Sequence, residues 1–237
     1  MRILITNDDS VNAEQLIPLV RWCQQLGEVT VVVPRFEQSG KSHGIEFHAP
    51  FKVEQTQLTS DISAYVVDST PADCVRFAVL GMEMSFDLVI SGINRGFNIG
   101  ADMLYSGTVS AAREAALLGI PGIAFSTSPE NYGEATVHLS MVWEYMQVHK
   151  LWNIHTLYNV NIPPSPKGIR ITRQGGPYFS DSFDDLGDDL YLAHGKCVFA
   201  SRGDTTLDTE TTLSGFISIM PLTVDMTDQD VYTKLTT

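Results

Sequence analysis

Two adjacent carboxylates stand at the end of the first apolar segment of the chain. Asp8 and Asp9 follow the short run 2–6 and precede a stretch with helical spacing. Ligands of open α/β sheets bind at the carboxyl ends of strands, so these side chains are predicted to face a binding crevice. Adjacent carboxylates repel each other unless a cation or proton lies between them. One acidic residue would suffice to cap the next helix, so the pair favours a metal site, with capping by Ser10 compatible with it.

A polar loop follows the second apolar segment. It reads Glu37-Gln38-Ser39-Gly40-Lys41-Ser42. This run is not a P-loop, because that motif needs a glycine five positions before Gly40, where the chain has Arg35. The hydroxyl of Ser39 and a close backbone approach at Gly40 still suit a phosphate or a metal, and Lys41 could steer a phosphate. An ordinary surface loop explains the same residues.

The longest polar motif is glycine-rich and runs into a helix. It reads Ser-Gly-Ile-Asn-Arg-Gly-Phe-Asn-Ile-Gly over 91–100 and Tyr-Ser-Gly-Thr over 105–108. Its glycines do not match the dinucleotide-binding fingerprint. Hydroxyl and N–H groups of Ser106, Gly107 and Thr108 at a helix N-terminus would bind a phosphate, and simple helix capping is the alternative. The amide oxygen of Asn94 suits a hard cation, whereas Arg95 could steer phosphate or remain a solvated charge.

Apolar runs alternate with helical periodicity along the first two thirds of the chain. The predicted strands are 2–6, 29–33, 65–67, 88–91, 123–126 and 156–162, and the predicted helices are 13–25, 72–80, 109–118 and 134–147. Continuous Val, Ile and Leu runs alternating with helices are typical of a parallel sheet covered on both faces. The predicted fold is therefore doubly wound α/β, Rossmann-like, with a mostly parallel sheet.

The last third of the sequence has a different composition. Residues 170–200 are rich in Gly, Asp and aromatic residues and have little helical period, which predicts a β-hairpin extension. Residues 215–221 are predicted to return as a strand to the main sheet. We therefore divide the chain into a Rossmann-like metal- and phosphate-binding core, 1–165, and a C-terminal extension, 166–237.

Composition narrows the functional classes. The 237 residues are 43% hydrophobic and 18% charged, as in ordinary globular proteins. A formal net charge of -13 argues against binding duplex nucleic acid, which needs clustered Lys and Arg. The three cysteines lack the spacing of a disulfide framework or a zinc site. Neither a secretory leader nor a membrane-spanning run is expected, so a cytoplasmic location is predicted.

Taken together, the motifs resemble the SurE family, survival protein E. Further segments extend the resemblance in the family's order: Thr70-Pro71-Ala72-Asp73-Cys74, Asn159-Val160-Asn161-Ile162-Pro163, Arg170-Ile171-Thr172-Arg173 and Gly215-Phe216-Ile217-Ser218 through Pro221-Leu222. Each motif alone is modestly specific, but the ordered set is hard to reach by chance. Departures occur at Arg35 and Phe36, where the family commonly has Asp-Arg, and at Ser69, which replaces a frequent glycine; neither removes a metal ligand.

The resemblance implies an activity and a ligand set. Family members are 5'/3'-nucleotidases that hydrolyse nucleoside monophosphates, and in some cases short polyphosphate, with one Mg²⁺ or Mn²⁺ per subunit. By resemblance, the metal ligands are Asp8, Asp9, Ser39 and Asn94. The family also forms homodimers or homotetramers with exchanged C-terminal elements, which would make the segment 170–200 an oligomerisation arm.

The predicted chemistry is metal-assisted attack of water on the phosphate. An oxygen-only donor set suits Mg²⁺ or Mn²⁺ better than zinc. The predicted catalytic residues are Asp8, Asp9, Asn94 and Ser106, with Ser39, Gly40, Asn94, Arg95 and Ser106–Thr108 binding phosphate. Asp9 as general base stays open, a phosphoserine route through Ser106 is less favoured because no histidine adjoins it in sequence, and His43 as proton donor is weighed against a solvated loop histidine.

Two non-enzymatic classes also fit parts of the pattern. A receiver-type signalling module likewise holds Mg²⁺ with acidic residues after its first strand. It would need a phosphoacceptor, which Asp68 could imitate, and a lysine after the fifth strand, which 123–128 does not offer. A phosphate-binding regulator without turnover is the second alternative. Hydrolysis of a nucleoside monophosphate separates both from an enzyme.

Overall fold

The computed structural model describes residues 1–236. Its strands are β1 (Arg2–Thr6), β2 (Glu28–Pro34), β3 (Val53–Gln57), β4 (Ser63–Val67), β5 (Leu88–Arg95), β6 (Gly122–Thr127), β7 (Leu157–Ile162), β8 (Ile169–Ile171), β9 (Phe179–Gly187), β10 (Leu190–Cys197) and β11 (Ile217–Pro221). Its α-helices are α1 (Leu16–Cys23), α2 (Pro71–Arg76), α3 (Gly107–Leu117), α4 (Leu139–Val148), α5 (Leu151–Ile154), α6 (Asp208–Leu213) and α7 (Gln229–Thr236). Gly100–Tyr105 and Pro129–His138 are 3₁₀ segments, and Phe77–Gly81 is a π-helical turn.

Nine of the strands described form one sheet in the order β3-β4-β2-β1-β5-β6-β7-β11-β8. In this order, the six neighbouring strands β4, β2, β1, β5, β6 and β7 are mutually parallel. β3 is antiparallel to β4, β11 is antiparallel to β7, and β8 is parallel to β11. The prediction of a doubly wound, mostly parallel sheet is confirmed, with antiparallel pairs towards both edges.

The central strand β1 is buried on both faces. Ile3 and Ile5 pack with Leu19 of α1, whereas Leu4 packs on the opposite face with Cys74 of α2 and Ala115 of α3. Successive side chains of a strand point to opposite faces, so a strand between two helical layers must be apolar throughout. This double burial fixes the carboxyl end of β1, where the two aspartates begin.

Several element boundaries differ from the sequence prediction. α1 begins at Leu16 because 11–15 form turns, and the helix predicted over 134–147 is divided between the 3₁₀ segment and α4. β5 continues to Arg95 beyond its apolar part, with a register shift against β6 between Ser91 and Asn94. The short elements β3, β8, α5 and α6 and the terminal helix α7 carry too little periodicity to be predicted.

The predicted C-terminal hairpin is confirmed as β9 paired antiparallel with β10. Its tip is made by Asp188 and Asp189, whose φ angles of 51° and 59° suit a two-residue hairpin turn. Every residue of both strands is exposed within the single chain. The division of the chain at residue 165 stays a prediction. Across residues 1–236, no helix combines the length and the apolar character that a bilayer crossing requires.

Candidate active site

Asp8 lies where the end of β1 meets the N-terminus of α3. Its side chain is buried, and its Oδ1 accepts a hydrogen bond from the Thr108 hydroxyl. A Cβ atom at Gly107 would lie only 3.0 Å from the Asp8 Cβ and 3.2 Å from Oδ2. A glycine here therefore lets the first turn of α3 approach the carboxylate closely. The structure thus brings together two of the motifs that the sequence separates by about a hundred residues.

Asp9 is the half-buried member of the pair and contacts the glycine-rich strand. Its Oδ2 accepts a hydrogen bond of 3.0 Å from the main-chain N–H of Arg95. Burial, and next the negative charge of Asp8, raise the pKa of Asp9 to about 6. Burial also raises the pKa of Asp8, against the hydrogen bond from Thr108. The two carboxylates therefore destabilise each other as anions, which is the condition that a bound cation relieves.

The loop after β2 closes a third side of the site. The main-chain N–H of Gln38 donates to the Asp8 carbonyl at 2.8 Å, which places Ser39 beside the pair. The Ser39 hydroxyl donates to Glu37 Oε1 at 2.6 Å. Gly40 has a φ of 70°, a left-handed conformation that favours glycine, and a Cβ there would meet no other atom within 4 Å. The backbone of Gly40 is therefore open to a ligand.

Asn94 and Arg95 approach from the end of β5. The Asn94 amide nitrogen donates to the Gly96 carbonyl at 2.8 Å. Its donor end is thus used within the chain, and its oxygen is the end suited to a cation. The Arg95 guanidinium lies over the Tyr132 ring, 5.9 Å from the ring centre. Arg95 therefore contributes its backbone N–H to Asp9, while its side chain stacks beside the site.

Ser106 caps helix α3. Its Oγ accepts a hydrogen bond of 3.1 Å from the Val109 N–H, and its side chain is buried. The capping alternative is therefore present in the structure. The Ser106 N–H donates to the Met103 carbonyl at 3.1 Å and the Thr108 backbone hydrogen-bonds to Asp8, which leaves the Gly107 N–H of the first turn to an anion. Ser106 and Thr108 thus shape a cradle in which the Gly107 N–H can bind a phosphate.

Sequence reasoning missed three polar residues of this region. Glu37 adds a third negative charge that raises the pKa of both aspartates. Asn7 is buried, and its Oδ1 has no hydrogen-bond partner among the residues described. The backbone of Asn98 is held by the side chains of Asn159 and Asn161. Glu37 and Asn98 stand inside motifs already recognised, so only the fold could distinguish them from their neighbours.

His43 is engaged away from the aspartate pair. Its Nε2 lies 2.7 Å from Oε2 of the buried Glu114, nearly two turns into α3. Arg76 of α2 donates to the other oxygen of Glu114 at 3.0 Å. The arrangement favours a structural role for His43 over proton donation to a leaving group.

The donor chemistry fits a hard divalent cation. The candidate ligands Asp8, Asp9, Ser39 and Asn94 offer two carboxylates, a hydroxyl and an amide oxygen, which suit Mg²⁺ or Mn²⁺. Within residues 1–236, no three or more His, Cys, Asp or Glu side chains form a metal-binding group by themselves. A cation at this site would therefore depend on the serine and asparagine oxygens as well as on the two carboxylates.

Comparison with known proteins identifies the family of the chain. The family model described as Survival protein SurE matches residues 3–181. The chain belongs to the SurE family. It is 37% identical over 245 residues to the 5'-nucleotidase SurE of Caldanaerobacter subterraneus subsp. tengcongensis, covering 98% of this chain and 95% of that protein.

Two further SurE proteins match the chain over nearly its whole length. The 5'-nucleotidase SurE of Petrotoga mobilis is 36% identical, over 99% of this chain and 98% of that protein. Among solved structures, the SurE protein from Aquifex aeolicus superposes with a TM-score of 0.78 at 33% identity, covering 99% of this chain and 98% of that one. The resemblance stated from the sequence motifs is confirmed, and it includes the C-terminal extension of this SurE chain.

Proposed function

We propose that the chain hydrolyses nucleoside monophosphates to nucleoside and phosphate with the help of one divalent cation. As a SurE family member whose relatives are named 5'-nucleotidases, it is a phosphoric monoester hydrolase. The metal dependence, the site residues and the range of substrates are our proposal. The observation that carries it is the buried Asp8, in contact with the N-terminus of α3 and adjacent to the half-buried Asp9.

The proposed cation site and phosphate cradle share one wall. We assign Asp8, Asp9, Ser39 and Asn94 to the cation, which would polarise a phosphoryl oxygen and make water more acidic. The N–H groups of Gly40 and Gly107 and the hydroxyl of Ser106 would bind the remaining phosphoryl oxygens. Because Thr108 donates to Asp8, the carboxylate is held against the turn that binds the phosphate. Cation and substrate would therefore be positioned by one rigid unit.

The chain's own groups divide into positioning and acid–base roles. The hydrogen bond from the Arg95 N–H orients Asp9, and its second oxygen can face a water molecule. A pKa near 6 gives Asp9 a basicity suited to accepting a proton, although coordination to a cation lowers it. The Ser106 hydroxyl caps α3, which supports attack by water rather than by Ser106.

Finer aspects follow from the resemblance and belong to the proposal. They are 3'-nucleotidase activity, hydrolysis of short polyphosphate, a cytoplasmic location and assembly into homodimers or homotetramers. The free thiols of Cys23, Cys74 and Cys197 are consistent with a reducing compartment. The exposed hairpin supports assembly, because an isolated two-stranded hairpin is only marginally stable in water.

An ion pair at the candidate phosphoacceptor disfavours the receiver-type alternative. Asp68, the residue that could imitate one, is engaged by an ion pair with Arg35. A phosphate-binding regulator without turnover shares the same ligands as the enzyme, so it is separated only by an assay.

The deciding assay measures release of inorganic phosphate from a panel of 5'- and 3'-nucleoside monophosphates, ribose 5-phosphate and short polyphosphate. Each substrate is tested with Mg²⁺, with Mn²⁺ and with chelator. We expect turnover of at least one nucleoside monophosphate, abolished by chelator. Binding of phosphate without turnover of any phosphomonoester would instead identify a regulator.

A further inference from the structure

A large cavity adjoins the phosphate cradle on the side of Gly40 and Tyr105. Its volume is about 850 Å³, within the range of about 300–1,000 Å³ of small-molecule sites. It lies between the 3₁₀ segment Gly100–Tyr105 and the base of the hairpin, which contributes Phe179 and Asp181. We propose that this cavity binds the nucleobase of the substrate, which stacks on the aromatic rings of Tyr105 and Phe179.

The position of the cavity matches the geometry of a nucleotide. Gly40 belongs both to its lining and to the proposed cradle, and Tyr105 immediately precedes Ser106. A ligand whose phosphate contacts the N-terminus of α3 can therefore reach this cavity with its other end. The backbone carbonyl of Tyr105 accepts a hydrogen bond of 3.0 Å from the Ser42 N–H, which joins the 3₁₀ segment to the loop carrying Gly40. The cavity and the proposed phosphate cradle are thus held together by this hydrogen bond.

The two aromatic rings have surface to offer a planar ligand. Tyr105 is 62% exposed and Phe179 is 46% exposed, although both line a cavity. The base of the hairpin is fixed, because Asp102 Oδ2 accepts hydrogen bonds from the N–H groups of Tyr178, at 3.0 Å, and Phe179, at 2.7 Å. Stacking of a base on an aromatic side chain is favourable and tolerant of base identity. The cavity therefore suits nucleobases as a class.

The charge of the lining selects the kind of leaving group. The charged side chains that line the cavity are the carboxylates of Asp102 and Asp181. A carboxylate accepts hydrogen bonds from the N–H groups of a base or the hydroxyls of a ribose, but it repels a further phosphate. The cavity thus favours a neutral nucleoside as leaving group over the anionic chain of a polyphosphate.

A smaller neighbouring cavity is the competing position for the base. Its volume is about 440 Å³, and it is lined by Gly96, Phe97 and the other side of Phe179. It adjoins the Asn94 end of the site rather than the phosphate cradle. Phe97 lines the smaller cavity but not the larger one, and Tyr105 lines the larger cavity but not the smaller one. Variants at these two residues therefore distinguish the two positions of the base.

The inference rests on the proposed function, and the experiment separates the two. kcat/KM is measured with Mn²⁺ for adenosine monophosphate and for ribose 5-phosphate, which lacks the base, in wild type, Tyr105→Ala, Tyr105→Phe and Phe179→Ala. Phe97→Ala is measured in the same way to test the smaller cavity. The kcat/KM for adenosine monophosphate divided by that for ribose 5-phosphate should fall about 10- to 100-fold in Tyr105→Ala and in Phe179→Ala, because stacking of the base is lost. Tyr105→Phe should keep the ratio. Tyr232→Ala, which removes an exposed ring from α7, serves as the matched control.

Each outcome has a defined meaning. An unchanged ratio in Tyr105→Ala and in Phe179→Ala overturns the inference, provided that light scattering and circular dichroism verify the assembly and folding of both variants. A ratio that falls in Phe97→Ala but not in Tyr105→Ala places the base in the smaller cavity and also overturns it. If wild type hydrolyses neither substrate, the proposed function fails. The cavity is then tested by calorimetric binding of adenosine monophosphate, which Tyr105→Ala should weaken by the same factor.

Discussion

Nε2 of His43 lies 2.7 Å from Oε2 of Glu114, joining the loop after β2 to helix α3. Arg76 of α2 donates to the other oxygen of the same carboxylate at 3.0 Å. Glu114 is buried, with its side chain 5% exposed, so this carboxylate depends on its two partners for compensation. The loop that carries Ser39 and Gly40 is therefore anchored to the helix whose N-terminus forms the proposed phosphate cradle.

Replacing Glu114 by glutamine should destabilise the fold by about 1–3 kcal/mol, because the charge-assisted hydrogen bonds to His43 and Arg76 are lost. The free energy of unfolding is measured by urea titration at pH 7. Glu144→Gln, on the exposed side of α4, is the matched control and should change stability by less than about 0.5 kcal/mol. Equal effects of the two substitutions would contradict the anchoring role.

Wild type and Glu114→Gln should also differ in how their stability depends on pH. Burial alone would raise the pKa of Glu114, but the hydrogen bonds from His43 and Arg76 outweigh it and lower the pKa below the ordinary value of 4.5. A carboxylate with a lowered folded-state pKa contributes stability above its unfolded pKa and loses it as the pH falls through the folded value. The stability difference between wild type and Glu114→Gln should therefore be full at pH 7 and shrink progressively below about pH 4.5. A difference that grows on acidification would contradict this sign.

The sequence predicted the sheet better than it predicted the surroundings of the site. The apolar runs of β1 and β6 are buried on both faces, so the sequence pattern predicts these strands and their approximate boundaries. The contact of Glu114 with His43 joins residues 71 positions apart, and nothing in either local pattern indicates it. β8 has only three residues and is placed by its neighbour β11, so its assignment depends on tertiary pairing.

Gly107 offers a test of how closely the site must be packed. An alanine Cβ there would lie 3.0 Å from the Asp8 Cβ and 3.1 Å from the Pro71 Cγ, so these neighbours must give way by a few tenths of an ångström. Small displacements of catalytic groups cost up to about 100-fold in rate, and we expect Gly107→Ala to lower kcat/KM by about 10- to 100-fold. Stability should change by less than about 2 kcal/mol, because the strain is partly offset by the higher helix propensity of alanine.

The control for this substitution is Gly176→Ala, since a Cβ at Gly176 would meet no atom within 4 Å. Phosphate release and urea midpoints are measured for both variants. Full activity of Gly107→Ala would show that the contact between α3 and Asp8 does not position the carboxylate.

Asp8→Asn should separate a ligand role from a structural one. Burial disfavours the charged carboxylate and raises the pKa of Asp8, so the neutral amide should leave the metal-free protein at least as stable as wild type at pH 7. The same variant should lose about 1,000-fold or more in kcat, because one of two charged ligands is missing. Adding Mn²⁺ should raise the melting temperature of wild type but not of the variant. A variant that is less stable without metal and still stabilised by Mn²⁺ would assign Asp8 to the fold alone.

The hairpin predicts self-association of the chain. Phe183, Leu186, Leu190 and Tyr191 are between 61% and 69% exposed in the single chain, and the strand register places Phe183 and Tyr191 on one face of the hairpin, where exposed large apolar side chains favour an interface. A second copy that covers them would stabilise the hairpin, so the double substitution Phe183→Ser with Tyr191→Ser should dissociate the assembly. Molar mass from light scattering should fall to that of one 26.1 kDa chain, while the far-ultraviolet circular dichroism of the main sheet is retained. Asp184→Ser on the same hairpin should leave the mass unchanged, and a wild-type chain that is already monomeric at micromolar concentration would refute the proposed assembly.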